Sequence, residues 1–163
     1  MNIRLPRRDQ IELRFTAPPS KSGTHRALIA ASLASGGSSE ISRPLRAEDT
    51  LCTRAALERM GVKMNDGGAS IRIEGAGCIL DGGEGHVTLD CRNSGTTLRL
   101  LTSISLLHRS PVTLNGSARM QERPIGPLID ALRTIGARAV YEKRDGYPPI
   151  TVSGTLLGGP VVI

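Results

Sequence analysis

Three short stretches hold the residues whose types and spacing could do chemistry. The first is Pro18-Pro19-Ser20-Lys21-Ser22-Gly23-Thr24-His25-Arg26, with a small apolar run from Ala27 to Ala34 directly behind it. Two prolines stop an extended segment, and a hydroxyl-rich turn then opens a helix that carries a lysine and an arginine in its first turns. The first N–H groups of a helix lack partners within the helix and its dipole is positive there, so a phosphate or carboxylate is stabilised at that end. Lys21 adds a mobile point charge, Arg26 a planar two-pronged donor, and Ser22 and Thr24 neutral hydroxyls that orient the anion. The order is not that of a Walker loop, which needs Gly-Lys-Ser/Thr after an earlier glycine. Taken alone, the stretch reads equally well as a Ser-capped helix with two solvated cations. The other two stretches are Asn93-Ser94-Gly95-Thr96-Thr97-Leu98-Arg99 and Arg119-Met120-Gln121-Glu122-Arg123-Pro124-Ile125.

These residues need elements to hold them. Residues 1–6 could form a short strand with a turn at 6–9. Ile11, Leu13 and Phe15 alternate with Glu12, Arg14 and Thr16, the period-two pattern of a half-buried strand. A helix is expected over 24–35, ended by Gly36-Gly37, and a strand over 39–42. Glu48-Asp49-Thr50 opens a second helix, acidic at its positive end, that runs to Met60 and stops at Gly61. Ile71 and Ile73 mark a strand over 70–74. The same plan returns further on: Ser22-Gly23-Thr24 as Ser94-Gly95-Thr96, and Leu57-Glu58-Arg59-Met60-Gly61 as Leu132-Arg133-Thr134-Ile135-Gly136. Ile71-Arg72-Ile73-Glu74-Gly75 likewise returns as Ile150-Thr151-Val152-Ser153-Gly154, so two units are expected, 11–77 and 78–163, in one domain spanning 1–163. The strongest helical pattern, 124–135, has Pro124 at its first position and Ile125, Leu128, Ile129, Leu132 and Ile135 on one face. Such a face packs on sheet, which makes the fold class α+β.

Composition removes several function classes. The chain has 163 residues, 39% hydrophobic and 22% charged, enough for one domain with a core but short for two. The most apolar run, Leu98 to Leu107, is cut by Arg99, so no membrane span and no membrane partner is expected. The N-terminus has no signal-peptide pattern, and a cytoplasmic location is the expectation. Three cysteines, Cys52, Cys78 and Cys91, share no Cys-x-x-Cys spacing and read as reduced structural thiols rather than a zinc site. His25, His86 and His108 form no ligand pair, so no metal is expected; His25 reads as a helix-surface residue. The net charge of +6 suggests nucleic acid, but no Trp, two Tyr and one Phe cannot build a base-stacking platform. A basic surface that attracts small polyanions explains the balance equally well.

The three motifs, in this order and spacing, resemble the enolpyruvyl transferases, and within them the EPSP synthase family. The resemblance runs from about Ile11 onward. It implies a fold of repeated βαβαββ units forming an inside-out α/β barrel, of which two units are present here. It implies transfer of an enolpyruvyl group from phosphoenolpyruvate to the 5-hydroxyl of shikimate 3-phosphate with release of phosphate, and no cofactor. Lys21, Ser22 and Arg26 would hold shikimate 3-phosphate, and Lys21, Gly95 and Arg123 would hold phosphoenolpyruvate. Asn93, Thr96, Arg99 and Arg119 would support them. Gly23 departs from the pattern, standing where an aromatic or other large residue is common. The resemblance also implies that the Ser-Ser-Gln motif, the acidic residues and the later cations of the site lie beyond Ile163. The chain is therefore expected to be the N-terminal, substrate-binding portion, with the C-terminal half as its partner, no catalytic residue of its own, and no turnover alone. A UDP-N-acetylglucosamine enolpyruvyl transferase is the nearest alternative, opposed by Ser22 after Lys21 and by the lack of cysteine in 117–122. A basic nucleic-acid-binding repeat module is the alternative from another class.

Overall fold

The first helix begins where a serine can cap it. In the computed structural model, which describes residues 14–83 and 85–160, α1 spans Lys21–Ser32, and the Ser20 Oγ accepts the Gly23 N–H at 3.0 Å. This cap starts the helix three residues before the expected position. Gly36 and Gly37 do not end it. They lie inside β1, Ser35–Ser42, with φ of 73° and 74°, at a register shift between Ser35 and Ser38; a bulge of this kind favours glycine. Residues 14–20 are irregular and Phe15 is exposed. The strand expected over 11–16 is thus not formed at 14–16, where the alternating side chains find no sheet; 11–13 and the strand expected at 1–6 lie outside the described residues.

Helix α2, Glu48–Arg59, has Glu48 and Asp49 in its first turn and ends as expected at a glycine. Gly61 has φ of 94°, its N–H reaches the Glu58 carbonyl at 3.0 Å, and the Val62 N–H reaches Leu57 at 3.1 Å, a closed Schellman end. Then come β2, Met64–Asp66, and β3, Ser70–Ala76. Asp66 takes both Arg46 Nη atoms at 2.6 Å and a further bond from Arg54, and these guanidiniums with the Gly68 N–H hold its carboxyl far below the usual range. Strands β1, β3 and β2 make an antiparallel sheet in that order.

The second sheet follows the same sequence of elements. These are β4, Val87–Asp90; α3, Gly95–Ile104, with a 3₁₀ turn at Ser105–Leu107; β5, Val112–Asn115; a short α4, Ala118–Gln121; α5, Gly126–Thr134; β6, Ala137–Tyr141; and β7, Ile150–Gly154. Its order is β4-β5-β7-β6, with β4 and β5 parallel and the other pairs antiparallel. The spatial order β1-β3-β2 therefore recurs as β5-β7-β6. Helix α5 starts at Gly126 with Pro127 behind it, not at Pro124. The Ile125 and Gly126 N–H groups both bond the Gly146 carbonyl, at 2.8 and 3.2 Å, and this pulls the Pro124 turn out of the helix.

One continuous core joins both sheets, from Leu28 on α1 through Leu57, Ile73 and Leu101 to Ile129 and Ile150. It is aliphatic, as a chain without Trp requires. The two tyrosines sit at its edge in the four-stranded half: Arg133 lies 5.4 Å from the Tyr141 ring centroid and Arg144 3.9 Å from that of Tyr147. Cys52 and Cys91 are buried free thiols whose pKa values burial pushes up, that of Cys52 to about 11, while Cys78 is exposed. Among the described residues no helix is long and apolar enough to cross a membrane, and no group of His, Cys, Asp or Glu is arranged to hold a metal.

Candidate functional site

Helices α1 and α3 direct their N-termini at one open cleft of about 440 Å³, and α2 contributes its first turn from the side. Lys21 is the first residue of α1. Gly95 and Thr96 open α3, whose cap is the Ser94 Oγ accepting the Thr97 N–H at 3.2 Å. Arg99 stands one turn into α3, and Arg123 follows α4. These residues line the cleft with Asn93 and Asp49. Three cations face one carboxylate, and the dipole ends of α1 and α3 add positive potential. The arrangement can hold a small molecule with two or more negative charges.

Lys21 and Arg99 are braced at their charged ends and Arg123 at its backbone. Lys21 Nζ meets Asp49 Oδ2 at 2.9 Å. Arg99 donates to the Pro124 carbonyl at 3.0 Å and to its own helix at Gly95 O, 3.4 Å. The Arg123 N–H bonds Met120 O at 3.0 Å, which fixes its backbone at the end of α4. Asn93 Oδ1 accepts the Ser117 hydroxyl. A Cβ on Gly95 would lie 3.1 Å from the Nη1 atoms of both Arg99 and Arg123, so both guanidiniums rest against that glycine. The residue type needed there is legible in the geometry: any side chain displaces the cations.

Of the residues expected from sequence, Lys21, Asn93, Gly95, Thr96, Arg99 and Arg123 come together in the cleft, whereas Ser22, Arg26 and Arg119 do not line it. Ser22 and Arg26 are exposed neighbours one turn apart on α1. Arg119 is exposed on α4. Thr24 is not an anion donor: it is buried, its hydroxyl donating to Ser20 O at 2.9 Å and accepting the Leu45 N–H at 3.0 Å. Asp49 lines the cleft without having been singled out. Its sequence signal, an acid at a helix start, says nothing of a lysine 28 residues earlier.

Beneath the cleft runs a buried polar chain. His25 is 0% exposed, which overturns the helix-surface reading; its place with Leu28 and Ser32 on the inward stripe of α1 is the reason. Its Nδ1 lies 2.8 Å from Thr53 Oγ1 on α2; Thr53 Oγ1 lies 2.7 Å from Thr97 Oγ1 on α3; Thr97 Oγ1 lies 2.7 Å from Ser94 Oγ. The Asp49 carbonyl lies within hydrogen-bond reach of both threonine hydroxyls, at 3.4 and 3.2 Å. The His25 Nε2 is buried without a hydrogen-bond partner.

Burial pushes the His25 pKa below its ordinary value of 6.5, the Asp49 charge opposing the shift and Lys21 adding to it. A folded-state pKa below the unfolded one means that the unfolded chain binds more protons as the pH falls through 6.5, so stability falls with it. We expect the melting temperature to drop between pH 7.5 and 5.5. In His25→Asn this part of the slope is expected to vanish, which thermal scans at several pH values will check.

Fold and cleft together define the class, an α+β protein with a cationic cleft built at two helix N-termini. The family model of EPSP synthase (3-phosphoshikimate 1-carboxyvinyltransferase) matches residues 6–163. The chain belongs to the EPSP synthase family. It is 52% identical over 163 residues to the 3-phosphoshikimate 1-carboxyvinyltransferase of Methanoregula boonei, covering 100% of this chain and 38% of that protein. The corresponding protein of Methanoculleus marisnigri is 49% identical with the same coverage. A solved EPSP synthase structure from Acinetobacter baumannii superposes with a TM-score of 0.78 at 28% identity, over 87% of this chain and 32% of that one. The chain thus spans well under half the length of these relatives.

Proposed function

We propose that this chain forms the cationic side of an enolpyruvyl transfer site. There it holds phosphoenolpyruvate and shikimate 3-phosphate while the enolpyruvyl group passes to the 5-hydroxyl and phosphate leaves. The observation that carries this is the meeting of Lys21, Arg99 and Arg123 around Gly95 at the N-terminus of α3. Both substrates carry a phosphate and a carboxylate, whose mutual repulsion must be offset before they can share a site. Arg123, at Gly95, clamps phosphoenolpyruvate. Lys21, between the two substrates, serves both. Shikimate 3-phosphate extends from Lys21 along the exposed Ser22–Arg26 face of α1, with Asn93, Thr96, Arg99 and Arg119 in support. No described residue in the cleft is placed as a base for the 5-hydroxyl: Asp49 is committed to Lys21. Turnover therefore depends on groups from the remainder of the relatives' length. We further propose a single domain of two units, 11–77 and 78–163, working in the cytoplasm on these small anions, with no nucleic acid and no membrane involved.

The test is a calorimetric titration of the chain with each substrate. Saturable binding is expected, lost for shikimate 3-phosphate in Arg26→Ala and for phosphoenolpyruvate in Arg123→Ala, with no phosphate release by the chain alone. Equal binding by the parent chain and both variants would overturn the reading. Gly95→Ala separates site from fold. Its Cβ meets only the tips of two arginines, and alanine at a helix start is a better helix former, so the melting temperature should hold or rise. Displacing two guanidiniums should nonetheless weaken phosphoenolpyruvate binding by about tenfold.

A further inference from the structure

The cleft stands on the buried chain His25–Thr53–Thr97–Ser94, which connects three helices and uses a titratable side chain to which the cleft chemistry gives no part. Helix α1 carries Lys21 one turn before His25. Helix α2 carries Asp49 one turn before Thr53, and both threonine hydroxyls lie within hydrogen-bond reach of the Asp49 carbonyl. In α3, Thr97 bonds the cap Ser94 by its N–H and its hydroxyl, at 3.2 and 2.7 Å. Helix α1 is therefore tied to α2 at His25–Thr53, and α2 to α3 at Thr53–Thr97 and where Thr97 approaches the Asp49 carbonyl.

The direction of these bonds follows from counting protons. Each hydroxyl has one proton to give. The buried Nε2 has no partner, and a bare lone pair is less costly in such a place than an unsatisfied N–H. The proton of a neutral His25 then sits on Nδ1 and is donated to Thr53 Oγ1. That frees the Thr53 proton for Thr97 or the Asp49 carbonyl, and the Thr97 proton for Ser94 or the same carbonyl. An imidazolium would instead bury a charge with an unsatisfied N–H, one turn from Lys21.

We infer that His25 is a positioning residue of the cleft: its neutral imidazole, through Thr53 and Thr97, holds the start of α2 and the first turn of α3 in place and so sets where Asp49, Lys21 and Gly95 stand. The inference deepens the proposed function and rests on it for its effect on ligands. It is distinct from packing, because a side chain that fills the same space without a donor at the Nδ1 position would leave the Thr53 oxygen without the proton it accepts and unlink α1 from α2 at this point.

Nitrogen-15 NMR of the full chain without ligand is the first arm. At pH 7 His25 is expected as the neutral tautomer protonated at Nδ1, and His25→Leu is expected to move the amide signals of Asp49, Gly95 and Thr96. Thr53→Val, which keeps His25 and breaks the chain one step on, should move the same signals and covers the case in which His25→Leu does not fold. A charged or Nε2-protonated imidazole, or cleft signals that stay put in the variants, would overturn the inference. The second arm titrates inorganic phosphate. His25→Asn, whose amide N–H takes the place of Nδ1–H, should bind within about twofold of the parent, and His25→Leu about tenfold more weakly, the scale of one lost buried hydrogen bond. Equal affinity in the Asn and Leu variants would reduce His25 to a packing residue. Failure of the parent chain to bind phosphate would count against the proposed function, while the first arm still decides the role of His25.

Discussion

Lys21→Ala is expected to weaken phosphoenolpyruvate binding by about a hundredfold, or about 2.7 kcal/mol, while shifting the melting temperature by no more than about 2 °C. The two effects part because they come from different partners. Lys21 is half exposed and its pair with Asp49 is a surface ion pair, worth about 0–1 kcal/mol to the fold. To an incoming anion, however, the substitution removes one of three cations and also frees the Asp49 carboxylate, which then repels the ligand. Opposite unit charges about 4 Å apart near a protein surface attract by about 4 kcal/mol, and like charges repel by as much, before salt reduces both. Lys21→Ala with Asp49→Asn should therefore recover about tenfold of the loss. Calorimetric titration at low and physiological salt measures both numbers. A double variant no better than the single one would place the whole loss in the missing ammonium.

Gly61→Ala is expected to cost about 3 kcal/mol or more of folding stability, the largest stability effect predicted for a single added methyl. Its φ is 94°, and a Cβ there would stand 2.2 Å from the Asp81 carbonyl oxygen and 2.9 Å from the Gly82 nitrogen, all backbone. Neither side can yield without breaking the Schellman end of α2 or moving the irregular segment around Asp81 and Gly82. Gly68→Ala is the control, since its φ is 81° with nothing within 4 Å of the added carbon. It bears conformational strain alone, about 1 kcal/mol. Urea unfolding of the two variants with unchanged m values gives the comparison; equal losses would remove the backbone contact as the cause.

Features fixed by local chemistry were legible in the chain. Gly61 and Gly136 ended helices where expected, Ile71 and Ile73 marked β3, and the motifs around Lys21, Gly95 and Arg123 met in one cleft. What escaped was set by distant partners. The early start of α1 is the exception, a local cap in which Ser20 takes the Gly23 N–H. Gly36-Gly37, a good helix stop by propensity, became a bulge because β3 was there to pair with. Pro124 was taken out of α5 by a carbonyl at Gly146. In the site, Asp49 and the threonines Thr53 and Thr97 were ordinary helix residues until α1, α2 and α3 stood side by side. His25, expected on the helix surface, lies inward because its spacing from Leu28 and Ser32 puts it on their stripe.

The two arginine-covered tyrosines give the chain an uneven optical signature. With no tryptophan anywhere, absorption and emission in the tyrosine band come from Tyr141, in β6, and Tyr147, between β6 and β7. The half containing α1, α2 and the β1-β3-β2 sheet has no tyrosine and is dark in that band, but contributes fully to far-ultraviolet circular dichroism. Comparing the two signals during denaturation thus reads one half against the whole without any label. A single core running from Leu28 to Ile150 requires their midpoints to coincide, and any gap between them measures how far the dark half can melt by itself.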